Sequence, residues 1–523
     1  MSGTIVIGYN GALRDFTMSP LSVRTRGGVP RWIYSSLLRF NEALELEGDL
    51  AESWSVSPNG LVYEFRLRAD ATWHDGHPVT ADDVVYTAGL LQQPHRYFRD
   101  SLLVDGTPAQ FSAIDDRIVR VELPRRFSPF ATHLTPVWGS LFLVVPRHLV
   151  ESRGEAAFEQ APVGSGPFSF GRADADRLSL RANPAYFNGA PAVDEVEIRF
   201  FESNEARVAA FDAGDVDVLI FPGREYEARA VRAGARLHRT TTNTIVQLAM
   251  NCRTPMFADT RVRQGVAAAV NRPRLLQEIE GPSGVAAYSP VGPSSWAYDP
   301  TVNRHQYDPA RAAALLDAAG WTVGRDGIRE SGGRRFEFEI LYPPDRWNYA
   351  LGEWANGIAK HLSAVGIRAV PRPVSYWDEL KPAWRAQDFD AFIYYDTFYV
   401  EPDLYWSWHS SMPRRADGPD APAGLPHYGY GVPGYSNPSV DAALEAYRAT
   451  TSRTAQLAHV REAQRIMADE VASLWLYNHQ WTNVVKEYIG GLSAPTLADG
   501  TSDLIVMLRP ERLTTTRTAG EAV

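Results

Sequence analysis

The chain has 523 residues and a single cysteine, Cys252. One thiol can form no disulfide within the chain and no cysteine-based metal cluster, and it leaves the redox compartment open. No apolar run approaches the roughly 18 residues needed to span a bilayer. The opening residues, Met1 to Tyr9 (MSGTIVIGY), carry neither the charged nor the apolar region of a signal peptide. A basic excess is missing as well: 52 Lys and Arg stand against 62 Asp and Glu, a net charge of -10 that argues against nucleic acid as a partner. Also absent are G-x-S-x-G, H-E-x-x-H, a glycine-rich loop ending in Lys-Ser/Thr, and any repeat of solenoid length. These absences weigh against a hydrolase, a nucleotide-binding enzyme and a repeat protein.

What remains is an ordinary globular composition, 45% hydrophobic and 22% charged. The chain is longer than a single core supports, so two or more lobes are expected. The stretch from Asp49 to Leu91 organises the reading. A turn at Ser57-Pro58-Asn59-Gly60 leads into an alternating strand with Leu61, Tyr63, Phe65 and Leu67 on one face. A polar loop, Trp73-His74-Asp75-Gly76-His77-Pro78, follows. Thr80 then caps a helix, with Asp83 answering three residues on.

As text, this segment resembles the hallmark of the large extracellular solute-binding proteins that feed dipeptide, oligopeptide and nickel ABC importers. The match runs through Leu50-Ala51-Glu52-Ser53-Trp54, Asn59-Gly60-Leu61 and Trp73 to Val85. It continues at Pro162 to Phe168 (PVGSGPF), Val193 to Phe200 and Pro255 to Gln264, and spans the chain from about Ile5 to Trp475. The resemblance implies an α/β, two-lobed periplasmic-binding-protein fold of type II character, with an extra subdomain in the first lobe and two hinge crossings. On that template residues 1–30, 155–245 and 479–513 form lobe I, 31–154 its extra subdomain and 246–478 lobe II, with 514–523 a disordered tail. The crossings are expected near Ile245 to Asn251 and Trp475 to Asn478.

Other elements are read directly. Leu141 to Pro146 is expected as a strand, and Pro162 to Phe168 as a structural turn whose glycines permit positive φ. Asp259 and Asp308 cap helices, the second with Pro309 at its first position. Trp354, Ile358 and Leu362 give a helix ending at Gly366, and Ala391 to Tyr395 a buried strand. Asp403 to Gly434 reads as a long surface loop of the functional kind.

For chemistry, His74-Asp75 with His77 lacks helical metal-ligand spacing and an evident third ligand, so no metal and no cofactor is expected. The resemblance implies no catalytic residues and a small polar ligand, peptide-like or opine-like, held between lobes. Arg346 follows a strand end and precedes a helix, where a guanidinium and free N–H groups suit an anion. In the dipeptide-binding branch an Arg at this place clamps the ligand carboxylate; pairing with Asp345 or Glu353 is the alternative. The peptide-binding branches place an aromatic at about Tyr395 and, three residues later, an Asp for the ligand amine. Here Phe398 holds that later position and Asp396 lies two residues early. Trp138, Tyr405, Trp406 and Trp408 complete the expected ligand-binding set. A permease in the membrane is the implied partner of a monomeric receptor outside the cytoplasm, its signal peptide removed; a chain that truly starts at Met1 would be cytoplasmic or leave by another route. The competing readings are a hydrolase acting on a peptide or ester and a non-transport receptor on the same fold.

Overall fold

The computed structural model of the chain describes residues 3–13, 18, 20–21, 28–41, 43–96, 99–136, 141–220, 226–227, 229, 234–344, 350–397, 400–412, 434–492 and 510–516. The fold divides into two units, Met1–Thr240 with Ala423–Pro426 and Trp481–Val523, and Thr241–Pro422 with His427–Gln480.

In the first unit the strand Thr4–Asn10 lies parallel to Glu195–Phe201 and to Val218–Ile220. Ile5 and Ile7 pair with Val196 and Ile198, and all four are at most 1% exposed. A separate antiparallel sheet follows the order Ala51–Val56, Val62–Leu67, Ile118–Glu122, Gln110–Asp115. Tyr63, Phe65 and Leu67 are buried on one side, as the alternation requires. Helix Ala81–Leu91 opens with the expected capping box, the Thr80 N–H donating to Asp83 Oδ2 at 2.9 Å. Leu178, Leu180, Phe142 and Val485 join the same core.

Three sequence expectations change here. Leu141 to Val145 is buried throughout but is not a strand. Its backbone is satisfied irregularly instead: the Val144 N–H donates to the Ser35 carbonyl and the Val145 N–H to the Thr87 hydroxyl. Hydrophobicity located the core and not the ladder. The glycines of the Pro162 to Phe168 turn are needed for close approach and not for positive φ. A Cβ on Gly164 would stand 1.9 Å from the Ile33 carbonyl oxygen. The tail expected from Thr514 begins as a strand, Thr514–Thr515, paired with Ile489–Gly490. Leu513 anchors it by burying its side chain in the core.

In the second unit Ala391–Thr397 runs antiparallel to Thr244–Met250 and parallel to Glu337–Tyr342, which lies parallel to Arg368–Pro373. Parallel pairing needs a crossover, and helix Leu351–Ser363 supplies it with Trp354, Ile358 and Leu362 fully buried. Asp259, Asp308 and Asn437 each accept a first-turn N–H, from Arg261, Arg311 and Ser439 at 2.8, 2.9 and 2.9 Å. The expected loop from Asp403 contains a helical turn, Tyr405–Trp408; residues 413–433 lie outside the described residues. Among the described residues the junctions between units fall inside continuous strands, Ala235–Met250 and Leu474–Lys486, at Thr240/Thr241 and Gln480/Trp481.

Candidate functional site

Open α/β sheets place ligands at the carboxyl ends of their strands. In the second unit that end of the central strand carries Tyr394-Tyr395-Asp396-Thr397, every residue buried. The Thr397 hydroxyl meets the Thr244 hydroxyl at 2.9 Å, which ties the strand end to its antiparallel neighbour. Asp396 stands opposite Ile245, and Tyr394 opposite Gln247. Directly opposed residues share a face, so Asn243, Gln247 and Asp396 line one side of this strand pair.

That side is unusual in its polarity. Asn243, Gln247 and Asp396 are each at most 3% exposed. Yet Asn243 Nδ2, Gln247 Oε1 and Asp396 Oδ2 have no hydrogen-bond partner within the chain. Asn243 uses its other end, accepting from the Ser294 hydroxyl at 2.5 Å. Asp396 accepts from the Ser407 hydroxyl and the Thr397 N–H, but burial outweighs both and pushes its carboxyl up to about 7. One donor and two acceptors, buried on one face, match the polar pattern of an amide or an ammonium group.

The expected aromatics are distributed differently from one another. Tyr395 is 8% exposed, stacked on Tyr394 with ring centroids 4.3 Å apart. Trp408 is 1% exposed and packs against Trp475 and Tyr435. Tyr405 and Trp406 are half-buried against the Arg448 guanidinium, 3.8 and 4.9 Å from their ring centroids, and Tyr405 also stacks on His409 at 4.1 Å. Arg448 is itself held bidentately by Asp403. This ion pair fixes the turn that aims Ser407 at Asp396. Arg346, Phe398 and Trp138 lie outside the described residues.

Sequence reasoning missed Asn243 and Gln247. The available signal was Gln247 itself, an amide inside the otherwise apolar run Ile245 to Met250. It also treated His74, Asp75 and His77 as a cluster without a third ligand. His74 is taken by the fold, its ring bonded to the Gly166 carbonyl at 3.0 Å and the Gly164 N–H at 3.2 Å. Asp75 and His77 are joined instead by His148, 73 residues away from Asp75. No local spacing could have revealed it.

The fold is shared with solved structures, among them the ABC transporter substrate-binding protein CtaP from Listeria monocytogenes. That likeness has a TM-score of 0.80 at 20% identity and covers 99% of this chain and 100% of that one. Among curated relatives, the oligopeptide-binding protein AppA of Bacillus subtilis is 26% identical over 432 residues, 79% of this chain and 77% of the relative. Protein XP55 of Streptomyces lividans is 27% identical over 519 residues, 95% of this chain and 90% of the relative. Residues 45–415 match the family described as bacterial extracellular solute-binding proteins, family 5 Middle, and the chain belongs to that family.

Proposed function

We propose that the chain is the solute-capturing component of an ABC importer and that its ligand is a small zwitterion, peptide-like or opine-like, whose cationic group is taken by Asp396. Arg346 is assigned the anionic group on the sequence pattern alone. The observation that carries the reading is the buried Asp396 Oδ2, which lacks a partner within the chain at the end of the central strand. Leaving such a carboxylate oxygen unmatched is costly, and a ligand ammonium would offset that cost with a charge-assisted bond. Gln247 Oε1 and Asn243 Nδ2 add an acceptor and a donor on the same face, as a peptide group would require. The name of the AppA relative, an oligopeptide-binding protein, points the same way.

A binding role without turnover is supported by the state of the one thiol. Burial pushes Cys252 up to about 11, so it is no ready nucleophile. Among the described residues no helix is long and apolar enough to cross a membrane, which is consistent with a receptor that works beside a permease.

A thermal-shift screen over amino acids, dipeptides and opines identifies the ligand, since binding to the folded state alone raises its melting temperature. Calorimetry then follows on two variants. Asp396→Asn and Arg346→Ala should each weaken a zwitterion by about tenfold to a hundredfold. Binding should also release protons: a carboxyl near 7 is about half protonated at pH 7 and becomes ionised against a cation, so roughly half a proton leaves per site. Unchanged affinity in both variants, with no dependence of the binding heat on buffer ionisation, would overturn the charge assignment.

A further inference from the structure

The first unit carries a second cluster of chemistry-bearing side chains, unrelated to the strand-end site. Asp75 and His77 belong to the loop Trp73 to Pro78, and His148 to the first turn of helix Arg147–Arg153. One Asp75 carboxylate oxygen lies 2.8 Å from His148 Nε2 and the other 3.2 Å from His77 Nδ1. The two imidazoles lie with ring centroids 4.6 Å apart. One ligand-capable atom from each of the three residues falls within 4.8 Å of the other two.

The backbone beneath these side chains is held in place, while the side chains themselves are open to solvent. Trp73 is 1% exposed and donates its N–H to the His77 carbonyl at 2.8 Å, and the Gly76 N–H donates back to the Trp73 carbonyl at 2.8 Å. His74 pins the loop to Gly164 and Gly166 through its backbone N–H and both ring nitrogens. On the other side, the Arg147 N–H is held by Asp83 Oδ1 at 2.9 Å. His77, His148 and Asp75 are by contrast 64%, 36% and 26% exposed at the side chain, so their convergence is not imposed by core packing.

We propose that Asp75, His77 and His148 form a solvent-facing site for a divalent cation of the zinc class. Two imidazoles and one carboxylate are the donor set such borderline ions select, whereas magnesium and calcium seek oxygen ligands throughout. A tetrahedral zinc with bonds of about 2.0–2.1 Å holds its ligand atoms roughly 3.4 Å apart. Binding would draw the three ligand atoms together from separations of at most 4.8 Å to that spacing. Three protein ligands leave a fourth position to water, which makes the ion exchangeable. Bound metal would clip the Trp73 to Pro78 loop to the start of helix Arg147–Arg153.

The test is equilibrium dialysis of the full chain against zinc chloride, compared across His77→Ala, His148→Ala and His95→Ala. His95 is an exposed histidine outside the cluster. The first two variants should bind one zinc fewer per chain, or bind it about tenfold or more weakly, while His95→Ala matches the parent. Cobalt in place of zinc should give a visible ligand-field band in the parent and His95→Ala and lose it in the other two. Metal-free melting temperatures should coincide for all four proteins, which separates loss of ligands from loss of fold. Equal zinc content in the parent, His77→Ala and His148→Ala would overturn the proposal, as would magnesium binding there as tightly as zinc.

Discussion

At the residue scale, Asp396 was legible as an acid at a strand end, and its position two residues early was legible too. Its burial was not, because the strand that carries it lies between Thr244–Met250 and Glu337–Tyr342, neighbours far away in sequence that no local pattern encodes. The consequence is a pH dependence with a definite sign. A carboxyl raised to about 7 keeps its proton in the folded chain over a range where the unfolded chain, near 3.8, has lost it. The contribution is therefore fully present below about pH 4 and is lost as pH rises toward 7. Asp396→Asn keeps the shape and removes the titration, so its stability relative to the parent should rise by up to about 4 kcal/mol between pH 4 and pH 8. Urea unfolding of both proteins at the two pH values measures this. A constant difference between them would mean that the Asp396 carboxyl titrates in its ordinary range.

At the element scale, caps and periodicities translated well because their causes are local: Thr80 with Asp83, Asp308 with Pro309, and the spacing of Trp354, Ile358 and Leu362 all act within one or two turns. The failures share the opposite cause. Leu141 to Val145 reads as a strand by composition, yet Ser35 and Thr87 from elsewhere in the chain take its N–H groups. Two glycines show how the same residue serves different needs. Gly164→Ala forces a Cβ against the Ile33 carbonyl and should cost about 2 kcal/mol or more in a thermal melt. Gly76→Ala meets nothing within 4 Å and pays only for its φ of +89°, about 1 kcal/mol. The reverse order would place the strain in the wrong loop. The Arg448 pair with Asp403 is the other element-level support, with side chains 4% and 6% exposed. Arg448→Ala strands a buried carboxylate and should destabilise by about 3 kcal/mol, read as a lower urea midpoint. A midpoint equal to the parent's would show that the Tyr405–Trp408 turn does not depend on that ion pair.

At the scale of the whole molecule, one apolar run near Ile245 and another near Trp475 raised the expectation of an excursion of the chain into a second unit and a return from it. The junctions at Thr240/Thr241 and Gln480/Trp481 fall a few residues away, in the polar stretches Arg239 to Thr244 and Asn478 to Asn483 of two long strands that continue through them. This arrangement makes the units unequal. The second occupies one nearly continuous stretch of sequence, and among the described residues its two apolar clusters, around Trp354 and around Trp408, draw on residues between Ile245 and Tyr477. The first is assembled from both ends of the chain, with Val485, Ile489 and Leu513 completing a core otherwise built from residues up to Ile220. A fragment spanning Thr241 to Gln480 should therefore fold alone, giving a cooperative urea transition and a protease-resistant core. A chain ending at Gln480 should lose the first unit's transition, since the buried side chains of Trp481, Val484, Val485, Ile489 and Leu513, at about 1.5–3 kcal/mol each, go missing along with the strand that pairs with Val218–Ile220. A fragment Thr241 to Gln480 that unfolds without cooperativity would mean that the division into units is geometric only and that the cores stabilise one another.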